Sequence, residues 1–159
     1  AIAAKNGLDK VRFFSVGSPM GEISLSECEC ADNFKKYTTS SLIAGTVKGF
    51  ALGGYEAGGF DIALASDVLP GSGISSSAAF EVMIGNIINH LYNNGSVDNK
   101  EIAKLAKFSE NVYFGKPCGL LDQGVIAVGG VVTIDCLNTS SYTVRTFLVN
   151  SSNTTSPTL

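Results

Sequence analysis

Two patterns of apolar and polar positions divide the chain. Near the start the period is two. The stretch VRFFSV at 11–16 reads as a strand, and EISLSE at 22–27 sets Ile23 and Leu25 against polar neighbours as a half-buried strand. The turn residues at 17–21, GSPMG, join them into a hairpin. Residues 32–39 are polar and form a surface connection. FDIALASDV at 60–68 alternates Phe60, Ile62 and Leu64 with Asp61 and Ser66, which predicts a strand. GVVTID at 130–135 and YTVRTFLVN at 142–150 predict two more, and residues 151–159 are rich in Ser, Thr and Asn.

Between these the period is helical. Ser40 or Ser41 caps a helix that runs to about Leu52, with Leu42, Ile43, Val47 and Phe50 inward and Gly53-Gly54 as its stop. A longer helix spans 76–92. Phe80, Ile84, Ile87, Ile88 and Leu91 form its broad apolar face, and Glu81, Asn86, Asn89 and Asn93 its narrow polar stripe. Asp98 and Glu101 open a third helix in the manner of a capping box. Ile102, Leu105, Ala106, Ser109 and Tyr113 mark its buried side, and Lys100, Lys104, Lys107 and Asn111 its wet side. Strands first and helices clustered later predict an α+β fold.

The chain has 159 residues, the size of one domain or part of one, and nothing in it repeats. Its 45% hydrophobic content suffices for a core. A net charge of −3 and a pI of about 5.0 leave no electrostatic footprint for nucleic acid. No apolar run approaches the ~20 residues that span a bilayer. The first ten residues do not have the form of a secretion signal, so a reduced, cytoplasmic setting is the expectation. Cys28, Cys30, Cys118 and Cys136 fit no zinc spacing and are read as free thiols. The single histidine, His90, stands mid-helix without a nucleophile elbow elsewhere, which argues against a Ser-His-Asp hydrolase.

One stretch asks for a chemical explanation. In DVLPGSGISSSAAFE at 67–81, Gly71 and Gly73 bracket Ser72, three hydroxyls follow at Ser75, Ser76 and Ser77, and a helix then begins. Small residues let a backbone approach a ligand, and a helix start offers unpaired N–H groups and a positive dipole end. Strand, Gly-rich loop, helix is the order of an anion cradle, with phosphate the favoured anion. No Lys completes a Walker loop, and Ser76 stands where a dinucleotide fingerprint needs Gly. The other reading is a plain turn followed by a Ser cap, but one cap needs one Ser.

GSGISSSAAFE closely resembles the second motif of the GHMP small-molecule kinases, and most of all the galactokinase branch. The resemblance implies that residues Gly71, Ser72, Gly73, Ile74, Ser75, Ser76 and Ser77 wrap the phosphates of ATP and that Ser77 helps hold Mg2+. Ile74 for Leu, and Pro70 directly before Gly71, depart from the family pattern. Gly45 and Gly49 in the first helix also resemble galactokinase positions.

Two carboxylates carry the remaining candidate chemistry. Glu110 falls between the faces of the third helix near its end, half-buried, where the dipole disfavours negative charge. It is either an ordinary surface residue or a hard oxygen ligand for magnesium. Asp122 is the only acid between Glu110 and Asp135 and has apolar neighbours. A buried ionised carboxylate needs work or a partner; the alternative is a turn or capping Asp. GKPCGLLDQ at 115–123 strongly resembles a galactokinase segment, matching at Gly115, Pro117, Cys118, Gly119, Asp122 and Gln123. The resemblance makes Asp122 the catalytic carboxylate at the sugar hydroxyl, sets Gly119 against the sugar, and places the metal ligand on Glu110, twelve residues earlier.

The resemblance thus implies ATP-dependent phosphorylation of galactose at its anomeric hydroxyl, with ATP and Mg2+ and no nucleic-acid or membrane partner. It implies a fold of the GHMP kinase N-terminal (ribosomal protein S5 domain 2-like) kind, a mixed, largely antiparallel sheet with helices on one side. The family's opening sugar-gripping segment, whose Arg partners the catalytic Asp, and its second domain find no counterpart in 1–159, so the chain is expected to be an internal piece of a galactokinase. Two alternatives stay open. One is a non-catalytic galactokinase-like sensor, against which the intact Ser75, Ser76 and Ser77 argue. The other is a GHMP kinase for homoserine or mevalonate, against which PCGLLDQ argues.

Overall fold

The computed structural model describes residues 1–67, 73–135 and 143–147. Gly71, Ser72, Cys136, the ends of the strand expected at 142–150 and residues 151–159 lie outside them.

Four strands form a mixed sheet: β1 (Ile2–Lys5), β2 (Lys10–Ser15), β3 (Gly21–Ser24) and β4 (Phe60–Leu64), in the order β1-β4-β2-β3. β2 and β3 are the expected hairpin, with Val11 opposite Ile23. β4 slots in parallel to β2, with Phe13 opposite Ile62, and pairs antiparallel with β1. β1 escapes a reading of periodicity because IAAK is short and three of its four residues are exposed; pairing with β4 makes it a strand. Two further strands, β5 (Val131–Asp135) and β6 (Thr143–Phe147), form a separate antiparallel pair.

Period two sends Val11, Ile23, Phe60 and Ile62 to one face of the sheet, where all four are buried. The helices lie over that face. α1 (Thr39–Leu52) brings Ile43, Val47 and Phe50 to the core, and α2 (Ser76–Tyr92) brings Val82, Ile84 and Ile88. α3 (Asn99–Phe108) adds Ile102 and Leu105. The opposite face holds the Arg12–Asp61 ion pair and a half-exposed Phe14. This is the α+β arrangement with helices on one side.

The helix starts follow side-chain chemistry. Thr38, not Ser40 or Ser41, caps α1; its hydroxyl accepts from Ser41 N–H while the Ser41 hydroxyl accepts from Thr38 N–H, a reciprocal box. Asp98 caps α3 by accepting from Glu101 N–H at 2.8 Å.

α3 does not end at Phe108. It widens into a π-type turn, Ser109–Phe114, which closes at Gly115. Such widening is common at functional sites. α1 packs directly on this turn, and Gly45 makes that possible. A Cβ at Gly45 would come within 2.5 Å of Ser109 Oγ and 2.8 Å of its Cα. The Ser109 hydroxyl in turn donates to Leu42 O at 2.8 Å. The turn that carries Glu110 is therefore clamped to α1.

Past Gly115 comes α4 (Leu121–Val128), which periodicity does not predict because eight residues are too short to show it.

Candidate active site

α2 starts from Ser75, a non-glycine residue in the left-handed region at φ 59°. Ser75 makes no side-chain cap on α2. Its hydroxyl points across the groove and donates to Asp122 Oδ2 at 2.6 Å. The backbone N–H groups of the first turn are thus not taken by the residue that would ordinarily cap them. Two residues later, Ser77 Oγ donates to Glu110 Oε1 at 2.7 Å. Two serines of one motif thereby meet two carboxylates 47 and 33 residues away.

Asp122 corrects the expectation of a buried carboxylate. It is exposed, in the first turn of α4. The apolar neighbours in sequence lie elsewhere on a short helix, Leu121 itself being 59% exposed. Ser75 is its partner, and its negative charge suits a helix N-terminus. Glu110 departs the other way. Expected half-buried, it is 1% exposed, because the π-type turn rotates it beneath Ser77. Glu81, read as part of a polar stripe, is completely buried, as is Gln123.

These buried groups form one chain. The Gln123 side-chain amide donates to Glu110 Oε2 at 2.5 Å and to Glu81 Oε2 at 3.2 Å. Its two N–H bonds thus tie two carboxyl groups together. Glu81 Oε1 and Gln123 Oε1 have no partner. Burial, reinforced by the Glu110 charge, pushes the Glu81 carboxyl up to about 9, so it is neutral at pH 7. Glu110 is different. Burial alone would raise it, but hydrogen bonds from Ser77, Cys118 and Lys116 and the Lys116 charge outweigh burial and hold it below the ordinary carboxylate range. Lys116 Nζ stands 3.2 Å from Glu110 Oε1, and that contact raises the lysine in turn.

Gly73, Ser75, Ser76, Ser77, Lys116 and Asp122 line one polar cavity of about 360 Å³. Gly73 sits at φ 79°, and no described atom lies within 4 Å of where its Cβ would be. Ser76 and Ser77 also line a second, apolar cavity of about 410 Å³, with Leu42, Leu64, Phe80 and Met83. Ile74 turns its side chain to solvent at 63% exposed, and Gly119 is exposed and lines neither cavity. Gly71 and Ser72 lie outside the described residues.

Lys116, Glu81 and Gln123, to which the sequence assigns no role, complete the site. Lys116 and Gln123 lie within GKPCGLLDQ, where the Lys could have been noticed as a cation between two candidate acids. Glu81 closes the GSGISSSAAFE motif, but nothing along the chain marks it as buried. Among the described residues Cys28, Cys30 and Cys118 are free. Burial foremost lifts Cys28 to about 12 and Cys118 to about 11, so neither is a thiolate at neutral pH.

Among the described residues no three His, Cys, Asp or Glu side chains gather as a metal cage. The donor set Ser77 and Glu110 nonetheless fits magnesium, which takes oxygen ligands and is commonly held by one or two protein groups with substrate phosphates completing the shell. Zinc or another soft metal would not choose it.

Residues 40–130, which hold the serine-rich helix start, Glu110 and Asp122, match the GHMP kinases N terminal domain family. The chain belongs to that family. Within it, the chain is 37% identical to the galactokinase of Clostridium tetani over 111 residues, covering 68% of this chain and 28% of that protein. Its fold superposes on the Lactococcus lactis galactokinase solved with galactose, with a TM-score of 0.76, 30% identity, and coverage of 89% of this chain and 37% of that one. The Methanococcus jannaschii mevalonate kinase shares the fold, with a TM-score of 0.70 at 17% identity over 92% of this chain and 45% of that one. The chain spans about a third or less of the length of the galactokinases it matches.

Proposed function

We propose that this chain supplies the phosphate-, metal- and base-bearing core of a galactokinase-type sugar kinase, which transfers the γ-phosphoryl group of ATP to the anomeric hydroxyl of galactose. The observation that carries the reading is the pair of contacts Ser75–Asp122 and Ser77–Glu110, which set Asp122 on the polar cavity beside the serine-rich loop and Glu110 buried directly behind Ser77. Similarity to galactokinases, one of them solved with galactose, favours that sugar. A cytoplasmic setting accompanies this reading; no helix among the described residues is long and apolar enough to cross a membrane.

In this reading the loop backbone from Gly71 through Ser77 and the open first turn of α2 bind the phosphates. The neighbouring apolar cavity, which shares Ser76 and Ser77, receives the nucleobase. Ser77 and Glu110 hold Mg2+. When bound, the ion neutralises phosphate charge in the transition state. Gly119 leaves backbone room for the sugar. Asp122 accepts the proton of the attacking hydroxyl as its oxygen bonds to phosphorus and the bond to ADP breaks. Exposure suits that role, because Asp122 must reach a substrate rather than a core partner. Ser75 aims the carboxylate meanwhile.

The test is Asp122→Asn in the intact enzyme. Asn keeps the shape and removes the base, so turnover should fall by about 10²–10⁴-fold while galactose and ATP still bind with near-unchanged affinity. Turnover within a few-fold of the unaltered enzyme would remove Asp122 from the chemistry.

A further inference from the structure

Glu110 is a buried anion whose two oxygens are differently occupied. Oε2 belongs to Gln123, inside the protein. Oε1 faces the cavity side and takes two donors, Ser77 Oγ at 2.7 Å and Lys116 Nζ at 3.2 Å. Lys116 differs from Glu110 in exposure. Its side chain is 52% exposed, whereas that of Glu110 is 2% exposed. Its backbone is fixed, since Lys116 N–H donates to Glu110 O at 3.0 Å just after the left-handed Gly115. The long stem thus allows the ammonium a second position from the same backbone anchor, with the polar cavity that Lys116 lines on its open side.

The geometry conflicts with a metal bound at the same place. A hydroxyl that ligates a cation offers its lone pair and turns its hydrogen away, so Ser77 must give up its bond to Oε1. A magnesium ion would sit about 2.1 Å from Oε1. An ammonium on that same oxygen would then face a doubly charged ion at close range. Lys116 and the metal cannot both keep Oε1.

We propose that Lys116 is a stand-in cation: it neutralises the Ser77–Glu110 oxygen pair while no divalent ion is bound, and metal entry releases its ammonium into the cavity bounded by Gly73, Ser75 and Asp122. This rests on the reading of Ser77 and Glu110 as metal ligands. Two consequences follow from the charge balance. Without nucleotide, Lys116 opposes the metal. With nucleotide, the displaced ammonium gains the phosphates as partners, so metal and nucleotide enter together more readily than either does alone. The buried carboxylate is never left without a counter-charge, which a one-sided site could not ensure.

The test is Mn2+ titration of the full chain at pH 8 without nucleotide, with free Mn2+ read by electron paramagnetic resonance. Lys116→Met should bind Mn2+ about two- to fivefold tighter than the unaltered chain, the scale of a partly exposed ion pair. Lys116→Arg, which keeps the charge, should stay near the unaltered value, and Glu110→Gln should lose the site. If Lys116→Met binds no tighter while Glu110→Gln loses binding, the stand-in role is overturned and the metal reading survives. If Glu110→Gln binds Mn2+ as before, the metal reading fails and takes this proposal with it. A second measurement needs no Met variant. The Lys116 ammonium resonance, assigned by its loss in Lys116→Arg, should shift on adding Mg2+, and an unmoved signal overturns the proposal as well.

Discussion

Ser77 Oγ lies 2.7 Å from Glu110 Oε1, and this contact joins the first turn of α2 to the π-type turn that follows α3. It sets a serine of the glycine-rich motif on a carboxylate that the fold has buried. Glu110→Gln should therefore raise the Mg2+ concentration needed for half-maximal activity of the intact enzyme by at least ~10-fold, a loss of about 1.4 kcal/mol at the site. Glu101→Ala is the control. Glu101 serves only the start of α3 and an exposed pair with Lys104, so its loss should leave the Mg2+ requirement in place. Equal effects would return Glu110 to a structural role.

The Gly73 conformation predicts a different kind of failure. At φ 79° a β-branched residue is strained, which costs about 1–3 kcal/mol. No described atom within 4 Å of its Cβ position stands to be disturbed. Gly73→Val should fold with a modestly lowered Tm and bind ATP at least ~10-fold more weakly by calorimetric titration. Unchanged ATP affinity in the folded variant would end the phosphate role of the loop.

Gly45 predicts a loss of stability with its origin far from the cavity. Replacing a helical Gly by Ala ordinarily stabilises by about 1 kcal/mol. Here the added Cβ meets Ser109 Oγ and Cα, and the strain of overpacking costs about 1–3 kcal/mol. Urea denaturation of Gly45→Ala should show a net loss rather than the usual gain. Because Ser109 precedes Glu110, its Mn2+ affinity should fall too. A stabilised Gly45→Ala would mean that α1 and the π-type turn separate easily.

The buried acid pair sets the pH dependence of folding. Glu81, at about 9 in the folded chain, is raised above its value in the unfolded chain. The native state therefore keeps a proton that the unfolded state has lost, and stability falls as pH climbs from the ordinary carboxylate range toward 9. Glu110 is lowered, so its contribution is present at neutral pH and is lost only in acid, outside that window. Between pH 6 and 8.5 the urea midpoint should decline, and Glu81→Gln, neutral throughout, should flatten the decline. An equal slope in the two proteins would show that Glu81 is ionised in the native state.

The sequence by itself determined most of the elements and the family. Alternation of Phe60, Ile62 and Leu64 announced β4, and the 3.6-residue spacing from Phe80 to Leu91 announced α2, because those patterns record which side of an element meets the core. The serine run and PCGLLDQ named the family before any coordinate, since local motifs are contiguous in the chain. Tertiary structure decided the rest. β1 exists only because β4 offers it an edge. Whether a carboxylate is buried depends on what other segments cover it: Asp122, among apolar neighbours in sequence, is exposed, while Glu81 and Glu110, on stripes that looked polar or intermediate, are sealed. The Gln123 amide between Glu81 and Glu110 joins residues 42 and 13 positions apart. Charge states in such a chain follow from distance and solvent exclusion in three dimensions, which no one-dimensional period encodes.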